Sequence, residues 1–248
     1  MKKIALITGA GRRQGLGFAT AKQLGKLGYH VIISARKLEQ VLPLVEELTT
    51  EGSSAEGVKI DLLDEKTISD AAKYIQEKYG KLDVLINNAA MLRDGSMGTM
   101  DEISNDELRM EINTNVIGTW IMTRTMHPLL KASGSGRVVN VSSGAGSYGD
   151  KEFGLLRSED GPMGEWPISL YGITKLAVNG ITIKESREFR DDHILVNSVC
   201  PGITASYDMN NFGGLSPDES AKYVVWAATF PDDGPTGGFF RYGKTLPW

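Results

Sequence analysis

The chain of 248 residues is long enough for one large α/β domain or two small ones. Its formal net charge of −4 excludes the broad basic surface that nucleic acid or an acidic membrane requires. Its one cysteine, Cys200, excludes a disulfide within the chain and favours a reducing compartment. The apolar run near the N-terminus is too short for a signal-peptide core and no segment is long enough to span a bilayer, so we expect a cytoplasmic protein.

Short β-branched runs alternate with longer stretches of helical periodicity. The runs predict strands at 3–8, 30–35, 58–60, 82–86, 138–142 and 194–199. The longer stretches predict helices at 15–28, 38–51, 64–79, 105–132, 169–190 and 216–229. This alternation predicts an α/β fold, a Rossmann-like doubly wound parallel β-sheet of about seven strands with helices on both faces. Because no linker or fixed-period repeat divides the chain, we expect residues 1–248 to form a single domain.

A glycine-rich loop, T-G-A-G-R-R-Q-G-L-G, joins the first predicted strand to the first helix. Glycines there permit a tight turn, close approach of the backbone to a pyrophosphate, and close packing of the helix on the strand. The helix N-terminus adds exposed N–H groups and a partial positive charge. The loop therefore predicts a dinucleotide site that includes Thr8, Gly9, Gly15, Leu16 and Gly17, and the alternative is a purely structural turn.

The end of the second strand selects between NAD and NADP. An acidic residue there would accept hydrogen bonds from the adenosine ribose, but the strand ends in S-A-R, with Arg36. Arg36 can bind a 2′-phosphate instead, and Arg12 and Arg13 of the glycine loop can add to that pocket. This convergence favours NADP(H), and the alternative is that the three arginines are solvated surface charges.

Two further segments follow strands at the same predicted edge of the sheet. Asp61 and Leu62 follow the third strand, where the Asp61 carboxylate can accept from the adenine amino group. Asn88 and Ala89 lie in N-N-A-A at the end of the fourth strand, where a ligand crosses the carboxyl ends of a parallel sheet. We predict that these four residues bind the cofactor, and the alternative is a hydrogen-bonded turn.

Tyr171 and Lys175 stand four residues apart in Y-G-I-T-K, a spacing that places both on one face of a helix. An ammonium about 5 Å from the phenol, in an effective dielectric of about 20, favours the phenolate by roughly 3 kcal/mol, or about two pK units. That shift brings a phenol towards the working range of a general acid/base. Ser142 and Ser143 precede the pair at the end of the fifth strand. The alternative is a helix with an ordinary aromatic residue and a solvated lysine.

These motifs, in this order, resemble the short-chain dehydrogenase/reductase family over essentially the whole chain. The resemblance identifies Ser143 as the catalytic serine, and adds the helix asparagine, Asn115, and the pair Pro201-Gly202 after the sixth strand. The chain departs from the family in a glycine loop that is two residues longer and in Ala90, which replaces the last glycine of N-N-A-G.

A third departure concerns the threonine that the family usually places after the Pro-Gly pair to touch the nicotinamide. Here Ser206 is the nearest match, and Thr204 lies two residues earlier. The resemblance implies that both belong to the cofactor site, together with Pro201 and Gly202.

Within the family, the chain looks most like the NADPH-dependent carbonyl reductases, which implies reversible hydride transfer between NADPH and a ketone or aldehyde. Ser143 would hydrogen-bond the substrate oxygen and Tyr171 would protonate it. Lys175 would lower the pKa of Tyr171 and hold the nicotinamide ribose, and Tyr171 would also touch the cofactor. Asn115 would hold a water that links Lys175 to bulk solvent.

A segment at 144–167 lacks clear periodicity and separates Ser143 from Tyr171, so we expect a long substrate-side loop there. From this and neighbouring loops, Met91, Trp166 and Tyr207 are candidates to contact an apolar or aromatic carbonyl substrate, although such side chains also serve as packing anchors. We expect a monomer or homodimer, with a tetramer less favoured, because long inserts before the tyrosine can obstruct the family's tetramer interface.

Two other functions remain open at this point: a non-redox enzyme on the same scaffold and an NADP(H)-binding regulator. The first typically loses the glycine loop, which this chain retains, and the second needs no intact proton-transfer residues. We expect no metal site, because the three histidines, His30, His127 and His193, match no ligand spacing.

Overall fold

The computed structural model describes residues 2–92, 98–158, 160, 166–206 and 214–248. Its strands are β1 (Ile4–Ile7), β2 (His30–Ala35), β3 (Ser54–Lys59), β4 (Val84–Asn87), β5 (Arg137–Val141), β6 (Leu195–Cys200), β7 (Phe239–Arg241) and β8 (Lys244–Thr245). Within the described residues these eight form one sheet in the order β3-β2-β1-β4-β5-β6-β7-β8. All neighbours are parallel except β7 and β8, which confirms the predicted fold with one strand more than expected.

Helices cover both faces of the sheet. They are α1 (Leu16–Lys26), α2 (Leu42–Thr50), α3 (Glu65–Tyr79), α4 (Asn105–Ile112), α5 (Thr119–Ala132), α6 (Ser169–Glu188) and α7 (Pro217–Ala228). Alternate residues of β1 enter opposite cores: Ala5 and Ile7 pack with α1 and α7, whereas Ile4 and Leu6 pack with α3 and α5. This two-sided burial is why the strands appear in the sequence as continuous apolar runs. Among the described residues, no helix is both long and apolar enough to cross a bilayer.

The structure differs from the predicted elements in three places. The helix expected at 105–132 is interrupted by a π-helical turn, Asn113–Gly118, where a Cβ on Gly118 would lie 2.6 Å from Leu62 Cβ. Strand β3 begins at Ser54, four residues earlier than predicted, because it pairs with all six residues of β2 although its first half is not apolar. Strands β7 and β8 span three and two residues and are too short to show a period.

The predicted loop at 144–167 is anchored in its described part to the C-terminal segment. Ser147 Oγ donates to the carbonyl of Pro247 at 2.7 Å. Arg241, the last residue of β7, donates to the Asp150 carboxylate at 2.6 Å. The first half of this loop is therefore packed against the C-terminal segment.

A buried polar network crosses the sheet below its carboxyl edge. Asn87 Nδ2 donates to Asn140 Oδ1 at 2.8 Å, and Asn140 Nδ2 donates to Thr182 Oγ1 at 2.9 Å and to a Glu185 carboxylate oxygen at 3.4 Å. Thr182 and Ser198 hydroxyls lie 2.8 Å apart. The network fixes α6 to β5 and β6, and burial raises the pKa of Glu185 to about 8.

This raised pKa makes stability depend on pH. The folded protein binds a proton at Glu185 between about pH 4.5 and 8 that the unfolded chain releases, so this contribution is complete below pH 4.5 and is lost as pH rises through 8. Glu185→Gln has no carboxyl group to titrate, so this loss of stability should be absent in the variant. Between pH 5 and 8.5 its free energy of unfolding should rise relative to that of wild type by on the order of 3 kcal/mol. Thermal unfolding at both pH values measures this, with Glu77→Gln, an exposed glutamate on α3, as control. Parallel curves for wild type and Glu185→Gln would contradict it.

Candidate active site

The glycine loop and the N-N-A-A segment form one interlocked unit. Thr8 Oγ1 accepts from the backbone N–H groups of Asn88 and Ala89, both at 3.0 Å, and Asn88 Nδ2 donates to the Thr8 carbonyl at 2.8 Å. Gly9 has φ +66°, and a Cβ there would lie 2.6 Å from Ala89 Cα. A Cβ on Gly17 would likewise lie 2.6 Å from Asn88 Nδ2, so the loop tolerates only glycine at these contacts.

The N-terminus of α1 suits an anionic group. Its cap residue, Gly15, has no side chain to satisfy the N–H groups that begin at Leu16, and the first turn contains no acidic residue. By contrast Asp64, Ser104 and Ser216 cap α3, α4 and α7 with side-chain oxygens. The first helix therefore presents N–H groups that no described side chain caps, behind a close-fitting glycine loop, which fits the diphosphate of a dinucleotide cofactor.

The three arginines of the predicted 2′-phosphate pocket have different surroundings. Arg13 Nε lies 2.7 Å from Glu47 Oε2, which ties that side chain to α2. Arg36 is exposed directly after β2 and makes no ion pair with any described residue. The Arg12 carbonyl accepts from Gly15 N–H at 3.0 Å, which closes the turn before α1.

Asp61 and Leu62 lie at the same edge of the sheet, after β3. Asp61 Oδ1 accepts from Leu63 N–H at 3.1 Å, so this carboxylate stabilises its own turn. Leu62 is buried and packs against Gly118 of the π-helical turn. Asp61 can stabilise this turn and also bind adenine, because the hydrogen bond to Leu63 uses only one of its two carboxylate oxygens.

The two serines after β5 have different surroundings. Ser142 is buried, and its hydroxyl donates to the Lys175 carbonyl at 3.3 Å. Ser143 is partly exposed, hydrogen-bonds the Tyr171 phenol, and accepts from Ala145 N–H at 3.2 Å. Ser142 therefore packs α6 on the sheet, whereas Ser143 pairs with Tyr171 through a hydrogen bond.

Tyr171 and Lys175 share one face of α6, as the spacing predicts. Lys175 Nζ lies 5.6 Å from the centre of the Tyr171 ring and donates to the Val141 carbonyl at 2.8 Å. Burial lowers the pKa of Lys175 to about 8. The expected lowering of the Tyr171 pKa is reversed in the structure: burial raises it, and the hydrogen bond from Ser143 lowers it only in part. The spacing of the two residues reveals the lysine charge, which favours the phenolate, but it does not reveal how far the fold removes the phenol from water, which favours the neutral form.

Asn115 lies in the π-helical turn and ties three elements together. Its Oδ1 accepts from Met91 N–H at 2.7 Å, and its Nδ2 donates to the Met91 carbonyl at 2.9 Å and to Thr174 Oγ1 at 3.2 Å. It thus joins the segment after β4 to α6, one residue before Lys175.

The loop after β6 lies at the same carboxyl edge of the sheet. Gly202 has φ +77°, and a Cβ there would collide with the Tyr242 hydroxyl, so the turn after Pro201 requires glycine. Thr204 Oγ1 donates to Ser220 Oγ at 2.9 Å, which fastens the loop to α7. Ser206 N–H donates to the Thr204 carbonyl at 2.7 Å.

Comparison with known proteins decides the family. The family model described as short chain dehydrogenase matches residues 3–155. The chain belongs to the short-chain dehydrogenase family, a family of oxidoreductases. It is 36% identical to short-chain dehydrogenase anuI of Penicillium roqueforti over 92% of this chain and 89% of that protein. It is 31% identical to carbonyl reductase (NADPH) 1 of Mus musculus over 100% and 99% of the two chains.

A solved structure shows the same architecture. A metagenomic short-chain oxidoreductase in complex with NADP superposes with a TM-score of 0.75, at 26% identity over 96% of both chains. The fold, the order of the motifs and these relatives agree that a nicotinamide cofactor is used by this short-chain dehydrogenase.

Two residues of this short-chain dehydrogenase site were missed in the sequence. Glu111 is fully buried, one helical turn before Asn115, whose Nδ2 lies 3.4 Å from Glu111 Oε1. Burial lowers the pKa of Lys175, and the charge of Glu111 opposes part of that lowering. Burial raises the pKa of Tyr171, and the charge of Glu111 adds to that rise. A carboxylate four residues before the helix asparagine was the available signal, since both fall on one face.

Cys200 is the second. It is buried, and its Sγ accepts from the backbone N–H groups of Gly144, at 3.2 Å, and Gly202. It therefore joins the loops after β5 and β6.

The candidate substrate residues are placed unequally. Met91 is held through both backbone atoms by Asn115, and Trp166 is exposed near the end of the insert, with its carbonyl bound by Arg157. Tyr207 lies outside the described residues. No group of three or more metal-ligating side chains occurs in the part of the chain that the structure describes.

Proposed function

We propose that this protein is an NADPH-dependent carbonyl reductase that catalyses reversible hydride transfer between NADPH and a ketone or aldehyde. The observation that carries this proposal is the meeting of Ser143, Tyr171 and Lys175 at the sheet edge that also holds the glycine loop. The name of the mouse relative supports the reaction class.

Each of these residues has a defined task in the proposed reaction. Ser143 hydrogen-bonds the substrate oxygen and stabilises the negative charge that develops there. Tyr171 donates its phenolic proton to that oxygen. Lys175, whose pKa is near neutrality, returns a proton to the phenolate and holds the nicotinamide ribose. Asn115 keeps the segment after β4 against α6, and we propose that it also holds the water that resupplies Lys175.

The cofactor supplies the hydride when bound. We propose that the loop Thr8–Gly17 and α1 hold its diphosphate, that Asp61, Leu62, Asn88 and Ala89 hold its adenosine half, and that the loop 201–206 holds its nicotinamide half. The uncapped α1 N-terminus and the glycine contacts support this placement.

The test of the function is NADPH consumption with a panel of apolar and aromatic ketones and aldehydes, followed at 340 nm, beside a fluorescence titration of NADPH binding. Turnover with binding supports the reductase. Binding without turnover of any carbonyl would favour a regulator, and neither binding nor turnover would favour a non-redox enzyme.

The preference for NADPH over NADH is proposed to depend on Arg36. Its exposed guanidinium is not engaged by a described carboxylate, so it is available to a 2′-phosphate. A charge-assisted hydrogen bond contributes roughly 1.5–3 kcal/mol, so Arg36→Ala should weaken NADPH binding by about 10- to 100-fold and leave NADH binding nearly unchanged. Fluorescence titration with both cofactors measures the ratio.

Arg13→Ala is the matched control, because Glu47 already neutralises that side chain and its removal should change the ratio far less. Equal weakening of both cofactors in Arg36→Ala would remove Arg36 from the 2′-phosphate pocket.

We further propose an apolar or aromatic substrate, contacted by Met91 and Trp166 from loops at the same edge. The exposure of Trp166 supports this. A monomer or homodimer is the proposed assembly.

A further inference from the structure

The backbone directly after Ser143 is enclosed between α6 and a buried ion pair. On one side, Asn179 Nδ2 donates to the Gly146 carbonyl at 3.0 Å. On the other, a Cβ on Gly144 would lie 2.5 Å from Asp150 Oδ2 and 3.1 Å from Arg241 Nη1. The same position lies 3.0 Å from Phe153 Cβ, so the two charged groups and the start of the Phe153 side chain together close this side of the turn.

The ion pair itself has a fixed geometry. Arg241 donates through Nη1 to Asp150 Oδ2 at 2.6 Å and through Nη2 to Asp150 Oδ1 at 3.3 Å, with a further bond from Nη2 to Glu152 at 2.8 Å. The Asp150 and Arg241 side chains are 4% and 10% exposed, and the guanidinium lies 4.8 Å from the centre of the Phe153 ring. A two-point contact of this kind fixes orientation as well as distance.

Both partners are also anchored beyond the pair. Arg241 ends β7 and stands beside Cys200 of β6, whose Sγ accepts from Gly144 N–H. Asp150 N–H donates to Ser147 Oγ at 2.9 Å. The sheet thus holds Arg241 and the insert holds Asp150, and Gly144 lies beside both.

We propose that Asp150 and Arg241 are positioning residues for Ser143: their ion pair holds Gly144, and through it keeps the Ser143 hydroxyl on the Tyr171 phenol. Desolvating two charges is costly compared with apolar packing, which makes precise orientation the benefit of a buried pair at this place. The inference rests on the proposed carbonyl reduction for its catalytic consequence, but the geometry it asserts can be measured separately.

Asp150→Asn keeps the size of the side chain and removes its charge. Small displacements of catalytic groups cost up to 100-fold in rate, so we expect kcat to fall by about 10- to 100-fold while the NADPH dissociation constant changes by less than about twofold. Arg241→Lys keeps the positive charge but loses the two-point contact of the guanidinium with Asp150, so it should lower kcat by a smaller factor. If Asp150→Asn does not fold, Arg241→Lys tests the same proposal.

The matched control is Arg137→Lys. Arg137 is a similarly buried arginine, 2.6 Å from Asp232, but it begins β5 at the opposite edge of the sheet. Arg137 is buried although its partner Asp232 is 81% exposed, so this variant tests the loss of a buried arginine fork away from Ser143. It should leave kcat unchanged, and an equal loss there would show that such a loss lowers kcat only through stability.

A double-variant cycle decides whether the pair acts through Ser143. In a Ser143→Ala background, single-turnover rates at high enzyme concentration should fall by less than about twofold further on adding Asp150→Asn, because the group being positioned is already absent. The same 10- to 100-fold fall in that background would overturn the proposal.

A second readout needs no substrate. The ¹³Cζ resonance of labelled Tyr171, assigned by its loss in Tyr171→Phe, should move in Asp150→Asn in the same direction as in Ser143→Ala and stay unmoved in Arg137→Lys. An unmoved resonance in Asp150→Asn overturns the positioning role, whatever the substrate. A moved resonance in a protein that reduces no carbonyl would overturn the proposed function and leave the positioning role standing.

Discussion

Tyr171→Phe should lower kcat for ketone reduction by about 100- to 10,000-fold, the range typical of losing a general acid. The substitution removes one oxygen and keeps the ring that packs beside Lys175 Nζ. Because desolvation raises the pKa of the phenol, the proton is present on Tyr171 at neutral pH and is ready to be donated in the direction of reduction. Steady-state NADPH consumption with the best ketone of the panel measures the loss.

Two controls make that result specific. NADPH affinity, measured by fluorescence titration, should change by less than about threefold, since ring and lysine remain. Tyr148→Phe makes the same chemical change at an exposed tyrosine of the insert and should leave kcat within about twofold of wild type. Near-wild-type reduction by Tyr171→Phe would contradict the proposed proton transfer.

Gly146→Ala should destabilise the protein and reduce its activity together. A Cβ at this position would overlap the carbonyl carbon of Lys175 and lie 2.5 Å from Leu176 N. Both are backbone atoms of α6, so no side-chain rotation relieves the overlap and the helix that carries Lys175 must move. Overpacking of this kind costs about 1–3 kcal/mol, which corresponds to a fall in Tm of roughly 2–10 °C for a chain of this length.

The control lies on the same helix. Gly180 is exposed in α6, and a Cβ there would meet no heavy atom within 4 Å. Because alanine is favoured over glycine in a helix interior by about 1 kcal/mol, Gly180→Ala should raise Tm by about 2–4 °C. A rise in Tm for both variants would show that the turn after β5 does not press on α6 as the structure describes.

Features that depend on local spacing could be predicted from the sequence. The alternation of buried runs and helical stretches predicted the doubly wound sheet, and the structure confirms it with a strand order in which β1 lies between β2 and β4. The spacing of Tyr171 and Lys175 predicted a shared helix face, and the position of Ser143 at the end of a strand predicted the edge at which the three meet.

Features that depend on contacts between distant residues could not be predicted. Arg241 lies 91 residues from Asp150, and neither residue type has a pattern that pairs them. The π-helical turn around Asn115 depends on the contact of Gly118 with Leu62, and the pKa of Tyr171 depends on how deeply packing buries the phenol. In each case the deciding quantity is a three-dimensional neighbour, which periodicity does not encode.

The thiol of Cys200 has a practical consequence. It is the one cysteine of the chain, it is buried, and its sulfur is held by N–H groups from the two loops that border the reaction site. A thiol reagent can modify it only when those loops part, so the labelling rate of the unaltered protein reports how often its catalytic edge opens. Ligands that keep these loops together can thus be ranked by how far they slow the labelling of Cys200. This measurement needs no substrate and no engineered probe.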